Sequence, residues 1–151
     1  MADSQTTHDI IRLLPYSEPF LFVDKLLSIS EEGIKGTYTF NADAFYYKGH
    51  FKDNPVTPGV ILTECMAQIG VVCLGIYLLS KENPAPTRGF VMSSSEMDFY
   101  LPVFPGDSVM VLSEKVYFRF NKLKCKVKML NENEELIAKG FISGMASLQK
   151  I

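Results

Sequence analysis

His50 and Glu64 are the residues of this chain whose types and spacing most directly indicate chemistry. His50 is one of two histidines and precedes a proline-rich stretch, and Glu64 follows it in an apolar segment that begins at Gly59. An imidazole with an ordinary pKa of about 6.5 is a suitable base at neutral pH. A carboxyl group that is shielded from water has a raised pKa and can act as a general acid. The pair therefore predicts a site for proton transfer or elimination.

The neighbours of Glu64 along the chain bear on its environment. No Lys or Arg lies between Gly59 and Ser80, so this segment offers the carboxylate no cationic partner, and unpaired carboxylates are rarely buried. Gln68 follows at i+4 on the same helical face, where its amide could orient the carboxyl group. Alternatively, Glu64 reaches solvent near the start of the helix, where the helix dipole favours an anion. The pattern of the helix leaves both interpretations open.

Gly59 and Val60 stand where the predicted helix begins and are the predicted oxyanion- and substrate-binding residues. Backbone N–H groups at a helix N-terminus lack intrahelical partners and can stabilise a developing oxyanion. Without a Cβ, Gly59 also lets a substrate approach the backbone closely. Ordinary interpretations remain open as well: Gly59 as part of a common Pro-Gly turn, and His50 as a surface or structural loop histidine.

One long apolar helix and about six antiparallel strands are predicted to position these residues. The predicted helices cover residues 9–14 and 59–80, and the predicted strands cover 20–29, 34–40, 88–92, 96–101, 108–120, 122–130 and 135–148, the third and fourth of which could be one bent strand. Thr57 is the predicted N-cap of the long helix and Pro58 its first residue. His50 lies on the loop before them, and Asn83 with the prolines after it ends the helix.

An all-round apolar helix is typical of one enclosed by protein. Residues 69–79 carry no charge, but they are fewer than the roughly 20 residues of a membrane span, and Glu64 and Gln68 interrupt the longer apolar stretch, so no span is predicted. The fold class is therefore α+β, with an antiparallel sheet wrapped around one central helix.

The composition sets outer limits on the function. With 151 residues, 47% hydrophobic and 21% charged, the chain is expected to be one globular domain covering residues 1–151. A net charge of -2 gives no reason to expect nucleic acid. Cys65 and Cys73 lie about 12 Å apart along the helix axis, too far for a disulfide, and the three cysteines lack metal-ligand spacing. Reduced thiols and a polar N-terminus indicate a cytoplasmic protein, and no motif predicts a metal or redox cofactor.

Several motifs resemble those of the β-hydroxyacyl-acyl carrier protein dehydratases of the FabZ type. The central ones are His50-Phe51, Pro55-x-x-Pro58-Gly59-Val60 and Glu64-x-x-Ala67-Gln68; Leu13-Leu14-Pro15, Pro19 to Asp24, Phe99 with Pro102 to Asp107, and the strand from Glu135 to Ala146 also agree. The resemblance implies a hotdog fold and a homodimer, or an assembly of dimers, in which His50 of one subunit faces Glu64 of the other. It also implies dehydration of (3R)-hydroxyacyl thioesters, held on the phosphopantetheine of an acyl carrier protein, to trans-2-enoyl thioesters without a cofactor.

Three positions depart from the family pattern. Lys52 replaces a frequent Pro, Cys65 replaces a frequent Ala, and Tyr100-Leu101 replace residues that are usually basic. The first two leave the proposed chemistry intact, whereas the third affects carrier docking and chain-length preference. A role in polyene or pigment synthesis is therefore as open as one in fatty-acid synthesis. A hotdog acyl thioesterase and a non-catalytic acyl-binding subunit are the alternative functions.

The segment from Lys115 to Lys128 is strongly basic. It holds six of the 15 basic residues and no acidic one, and four of its lysines alternate with apolar residues: Lys122, Lys124, Lys126 and Lys128. Such a surface could attract an acidic carrier protein. A solvated sheet face whose lysines oppose edge pairing is the favoured interpretation.

Overall fold

The centre of the structure is one long helix that the sheet encloses. The computed structural model describes residues 3–82 and 89–147. The central helix has three continuous parts: α2 (Gly59–Ala67), a π-helical segment (Gln68–Cys73) and α3 (Leu74–Glu82). Every residue from Cys65 to Leu78 is buried. The helix is apolar on all sides because protein surrounds it on all sides.

Six strands form one antiparallel sheet around this helix. They are β1 (Lys25–Ile29), β2 (Gly33–Thr39), β3 (Phe90–Phe99), β4 (Ser108–Arg119), β5 (Lys122–Leu130) and β6 (Leu136–Ala146), and α1 (Ser4–Arg12) precedes them. Their order across the sheet is β1-β2-β4-β5-β6-β3, and all neighbours are antiparallel. The predicted hotdog arrangement of the α+β class is confirmed.

The predicted two-residue periodicity of β5 is confirmed. Its four lysines face outward or are half-buried, whereas the residues between them are buried against the helix: Leu123, Cys125, Val127 and Met129. Phe120 and Asn121 join β4 to β5 with φ values of 53° and 62°. Two successive residues in this left-handed region form the tight turn that the twist of a hairpin favours.

The prediction of a strand from residue 20 was wrong for its first half, because β1 begins only at Lys25. The backbone before Lys25 instead forms hydrogen bonds with the Gln68 side chain of the central helix. The Phe22 N–H donates to Gln68 Oε1 at 2.8 Å, and Phe20 O accepts from Gln68 Nε2 at 3.1 Å. The first helix also begins earlier than predicted, at Ser4, because Asp3 caps it by accepting a hydrogen bond from the Thr6 N–H at 2.9 Å.

The predicted cap of the central helix was also wrong. Pro58, not Thr57, is the N-cap, and within the part of the chain that the structure describes no side-chain hydrogen bond caps this helix end. The Thr57 hydroxyl is instead paired with the Tyr47 hydroxyl at 2.5 Å. Tyr47 belongs to a short 3-10 helix, Phe45–Lys48, within the segment predicted to be loop.

The two predicted pieces of strand after the helix are one strand, β3, with a bulge between Met92 and Ser94. This confirms the interpretation of one long, bent strand. Its predicted first residues, 88 and 89, precede the observed start at Phe90, and Arg88 lies outside the described residues. The predicted stop of the central helix at Asn83 to Pro86 and the last predicted residue of β6, Leu148, also lie outside them.

The central helix from Gly59 to Lys81 has 23 residues and is long and apolar enough to cross a membrane by length and composition. However, 72% of its most apolar 18-residue stretch is buried inside the protein. A core helix of this kind passes the same test, because enclosure by a sheet and by lipid demand the same apolar surface. Its apolar character is therefore explained by the hotdog core.

The π-helical segment was not predicted from the sequence. Ser113 on β4 is buried, and its hydroxyl donates to the Gly70 carbonyl within this segment at 2.8 Å. A Cβ on Gly70 would lie 3.0 Å from the Val127 side chain and 3.1 Å from that of Ser113. The glycine thus lets the helix approach the sheet closely enough for this hydrogen bond.

Replacing Ser113 with Ala should lower the free energy of unfolding by about 1–3 kcal/mol, because the buried Gly70 carbonyl would lose the hydrogen bond from the Ser113 hydroxyl. Urea denaturation monitored by circular dichroism would measure the difference. Ser17→Ala, at an exposed position, is the control and should change stability by less than about 0.5 kcal/mol. Equal stability of the wild type and the Ser113 variant would contradict a supporting role for this hydroxyl.

Candidate active site

The loop around His50 fixes both the position and the tautomer of the imidazole. The backbone N–H of His50 donates to Tyr46 O at 3.1 Å, and Nδ1 of its imidazole lies 2.8 Å from Val56 O. A carbonyl oxygen can only accept, so Nδ1 carries a hydrogen, and in the neutral form of the ring the lone pair is then on Nε2. The half-buried ring stacks on Phe51 with centroids 3.9 Å apart. Nε2 is therefore the atom that can act as a base.

Glu64 is half-buried on the central helix, and Gln68 holds its carboxylate as the i+4 spacing predicts. Gln68 Nε2 donates to Glu64 Oε2 at 3.0 Å and also to Phe20 O. Gln68 Oε1 accepts the Phe22 N–H, so this fully buried side chain uses both ends of its amide. The amide cannot rotate without losing bonds, and it therefore fixes the direction of the carboxyl group.

Burial raises the pKa of Glu64, and the hydrogen bond from Gln68 opposes this effect only in part. The protein thus favours the protonated form of this carboxyl relative to a solvated glutamate. Of the two interpretations that the helix pattern left open, the structure supports a desolvated side chain over a solvated one at the helix start.

Tyr16 lies close to Glu64 and was not singled out from the sequence. The two line a small cavity of about 80 Å³ between the helix and the sheet, together with apolar side chains of which Val71 and Phe90 are two. Burial, followed by the nearby charge of Glu64, raises the pKa of Tyr16, so its phenol stays neutral. Only the position of Tyr16 in the folded chain reveals this proximity, because 48 residues separate it from Glu64.

Gly59 and Val60 lie at the start of the central helix, as predicted. The first helical hydrogen bond is the one from the Ile61 N–H to Pro58 O at 2.9 Å, so the N–H groups of Gly59 and Val60 precede it. The Phe99 ring lies over Gly59, where a Cβ would meet it at 3.4 Å, and the Val60 side chain is 76% exposed. This helix end offers backbone donors beside an apolar surface.

Within one chain, His50 and Glu64 are not joined. No hydrogen bond connects them among residues 3–82 and 89–147, and Glu64 lies about 7.5 Å beyond Gly59 along the helix axis. Both residues nevertheless flank the same helix N-terminus.

Comparison with known proteins identifies the family. A family model described as a FabA-like domain matches residues 14–140. The chain belongs to this family. One curated relative, the 3-hydroxyacyl-[acyl-carrier-protein] dehydratase FabZ of Thermus thermophilus, is 33% identical over 84% of this chain and 87% of its own length. Another, from Wolbachia of Culex pipiens, is 36% identical over 78% of this chain and 82% of its own length.

Solved structures agree on the fold of this FabA-like chain. The Dehydratase Heterocomplex ApeI:P from Xenorhabdus doucetiae matches with a TM-score of 0.77 at 12% identity, over 91% of this chain and 90% of that one. A hypothetical thioesterase with coenzyme A from Streptococcus pneumoniae matches with a TM-score of 0.59 at 13% identity, over 84% and 88%. At these identities the similarity shows the hotdog fold and nothing finer.

The lysines of β5 lie on the face of the sheet that points away from the helix. Lys126 and Lys128 are exposed and line an outer cleft of about 550 Å³ together with Lys35 and Lys139, although Glu32 and Glu114 also line it. Lys124 lies over the Phe141 ring at 5.2 Å. This position is compatible with both predicted interpretations, a carrier-binding surface and a solvated sheet face.

The three cysteines are buried, unpaired thiols, as the spacing of Cys65 and Cys73 predicts. Burial raises the pKa of all three, that of Cys125 to about 11, so they are thiols rather than nucleophilic thiolates at neutral pH. Among the described residues, no group of three or more His, Cys, Asp or Glu side chains could hold a metal ion.

Replacing Glu64 with Gln should raise the thermal midpoint at pH 8 and change it less at pH 4.5. Because burial raises the pKa of the folded carboxyl, the wild type loses stability as pH rises from the unfolded pKa through the folded pKa. A neutral amide avoids this loss. Scanning calorimetry of both proteins at the two pH values would measure it, and a difference that does not grow with pH would contradict a desolvated carboxyl.

Proposed function

We propose that this FabA-like protein dehydrates (3R)-hydroxyacyl thioesters on an acyl carrier protein to trans-2-enoyl thioesters, in fatty-acid synthesis or a related polyene or pigment pathway. The observation that carries the proposal is the combination of a desolvated carboxyl at Glu64 and a tautomerically fixed imidazole at His50, on either side of one helix N-terminus. The names of the curated relatives support the same reaction class.

Each residue has a defined part in the proposed elimination. His50 Nε2 removes the C2 proton, and the Gly59 N–H stabilises the negative charge that develops on the thioester oxygen. Glu64 gives its proton to the C3 hydroxyl, the C3–O bond breaks, and water leaves as the C2–C3 double bond forms. His50 then holds one proton more and Glu64 one fewer, so a return of the proton through solvent restores both. Gln68 keeps the Glu64 carboxyl aimed at the substrate, and Val60 lines the entrance.

The complete site is proposed to form between two copies of the chain. β3 is an edge strand of the sheet, and the side chains on and beside it leave a large apolar surface exposed: Val91, Met92, Phe99, Tyr100, Leu101, Phe141 and Met145. Pairing of β3 with its copy would cover this surface and continue the sheet. His50 of one subunit would then face Glu64 of the other, which is consistent with their separation within one chain.

The proposed partner is an acyl carrier protein that presents the substrate on its phosphopantetheine arm, in the cytoplasm. The carrier would approach the open helix N-terminus, where His50 and Gly59 lie. Whether the β5 lysines guide it stays a prediction, because the cleft that Lys126 and Lys128 line is on the outer face of the sheet.

Mass spectrometry of products tests the reaction directly. The wild type should be incubated with carrier-bound (3R)-hydroxyacyl groups of several lengths. It should yield the enoyl species, which is about 18 Da lighter because the elimination removes one water. A parallel assay for released thiol tests the thioesterase alternative. Free thiol without enoyl product would replace the proposed reaction with hydrolysis, and absence of both would favour a non-catalytic acyl-binding subunit.

His50→Ala should lower kcat for dehydration by about 10²–10⁴, because the variant lacks the general base. The fold should persist, since the imidazole is a half-buried loop side chain; circular dichroism provides this control. A well-folded variant with undiminished turnover would exclude His50 from the mechanism.

Mixing His50→Ala and Glu64→Gln proteins, each inactive alone, should restore activity after subunit exchange. A mixed dimer has one site with both lesions and one intact site, so an equal mixture should recover about a quarter of the wild-type activity. Mass spectrometry of isotopically labelled subunits would verify the exchange. No recovery despite verified exchange would place the whole site within one chain.

A further inference from the structure

We infer that the buried hydroxyl pair of Tyr47 and Thr57 is a positioning device for His50. The inference rests on the proposed function for its catalytic meaning. Both residues are almost fully buried, at 7% and 4% exposure, and neither is part of the proposed proton transfers.

The link between Thr57 and His50 is a single peptide unit. Val56 O, which accepts the hydrogen bond from His50 Nδ1, belongs to the same planar group as the Thr57 N–H. That N–H donates to Val103 O at 2.8 Å. Because the peptide is planar, the direction of the Thr57 N–H sets the direction of the Val56 carbonyl. The orientation of Thr57 therefore decides where the acceptor for His50 Nδ1 points.

The side chain of Thr57 fixes this orientation from the other end of the loop. Its hydroxyl pairs with that of Tyr47 at 2.5 Å. Tyr47 lies in the 3-10 helix that ends two residues before His50, and the carbonyl of Tyr46 in the same helix accepts a hydrogen bond from the backbone N–H of His50. One hydroxyl pair thus connects the two ends of the segment from residue 47 to 57, and His50 lies within this segment.

The chemistry of the pair indicates a directional role rather than packing alone. Two buried hydroxyls stabilise a fold less than apolar groups of the same shape unless they are bonded, because each loses water. Phe and Val would fill the same volume without this requirement. Burial also raises the pKa of Tyr47, so the phenol is neutral and keeps its hydrogen for the bond. What the hydroxyls add is a fixed distance and direction between the two ends of the loop that carries His50.

The test removes the bond from either side. Thr57→Val and Tyr47→Phe should each lower kcat about tenfold, which corresponds to about 1.4 kcal/mol, while KM changes little because neither side chain reaches the substrate. The double variant should be no worse than either single one, since all three lack the same bond. Thr57→Ser keeps the hydroxyl and should retain most of the activity. Thr39→Val is the control for loss of a hydroxyl pair away from the site, because Thr39 Oγ1 pairs with the Ser108 hydroxyl at 2.6 Å at an exposed position on the sheet; its kcat should equal that of the wild type.

A second measurement separates positioning from general stability. In protein labelled with ¹⁵N-histidine, the two histidines give two sets of signals, which the His50→Ala variant assigns. In neutral imidazole at alkaline pH, His50 of the wild type should show the Nδ1–H tautomer, and the Thr57→Val and Tyr47→Phe variants should show a mixture of tautomers. The Thr39→Val control should resemble the wild type.

The outcomes are distinct. An unchanged tautomer and an unchanged kcat in folded Thr57→Val would overturn the inference, and if that variant does not fold, Tyr47→Phe decides by the same criteria. Because the tautomer is measured without substrate, it tests the inference even if the wild type dehydrates nothing. In that case the proposed function fails, while the link between the hydroxyl pair and His50 is still judged by the spectra.

Discussion

The buried amide of Gln68 is the interaction on which the site and much of the fold depend. It bonds at once to the Glu64 carboxylate, to Phe20 O and to the Phe22 N–H. Through these bonds the segment before β1 is attached to the central helix, and the carboxyl group is held at a defined angle. A buried network of this kind is stable only when every member is satisfied. Loss of the Gln68 amide would therefore disturb both the attachment of the segment before β1 and the orientation of the Glu64 carboxyl group.

The features that could be predicted from the sequence are those that local spacing determines. Glu64 and Gln68 meet because residues four apart share a helical face, and β5 alternates because a strand has period two. The long apolar run predicted an enclosed helix, and enclosure required a sheet. His50 and Gly59 were placed at one helix end because proline and glycine mark helix boundaries locally.

The features that could not be predicted depend on partners distant in sequence. Thr57 has the residue type of a helix cap, but Tyr47 provides a buried partner for its hydroxyl. Residues from 20 to 24 have strand-like composition, but Gln68, 46 residues from Phe22, takes the hydrogen bond that a strand would need. The π-segment likewise depends on Ser113, 43 residues from Gly70. In each case a tertiary hydrogen bond overrides a local preference.

The apolar edge at β3 has a consequence for the life of a newly made chain. One side of this ten-residue strand pairs with β6, and its open side is a template for any other exposed strand, including that of a partly folded copy. If the proposed dimer covers this edge, its formation competes with aggregation until the edge is covered. In the proposed dimer, heating would produce the same competition, because subunits that separate would aggregate before they pair again. Survival at elevated temperature would then be governed by the rate of dissociation rather than by an equilibrium between folded and unfolded forms.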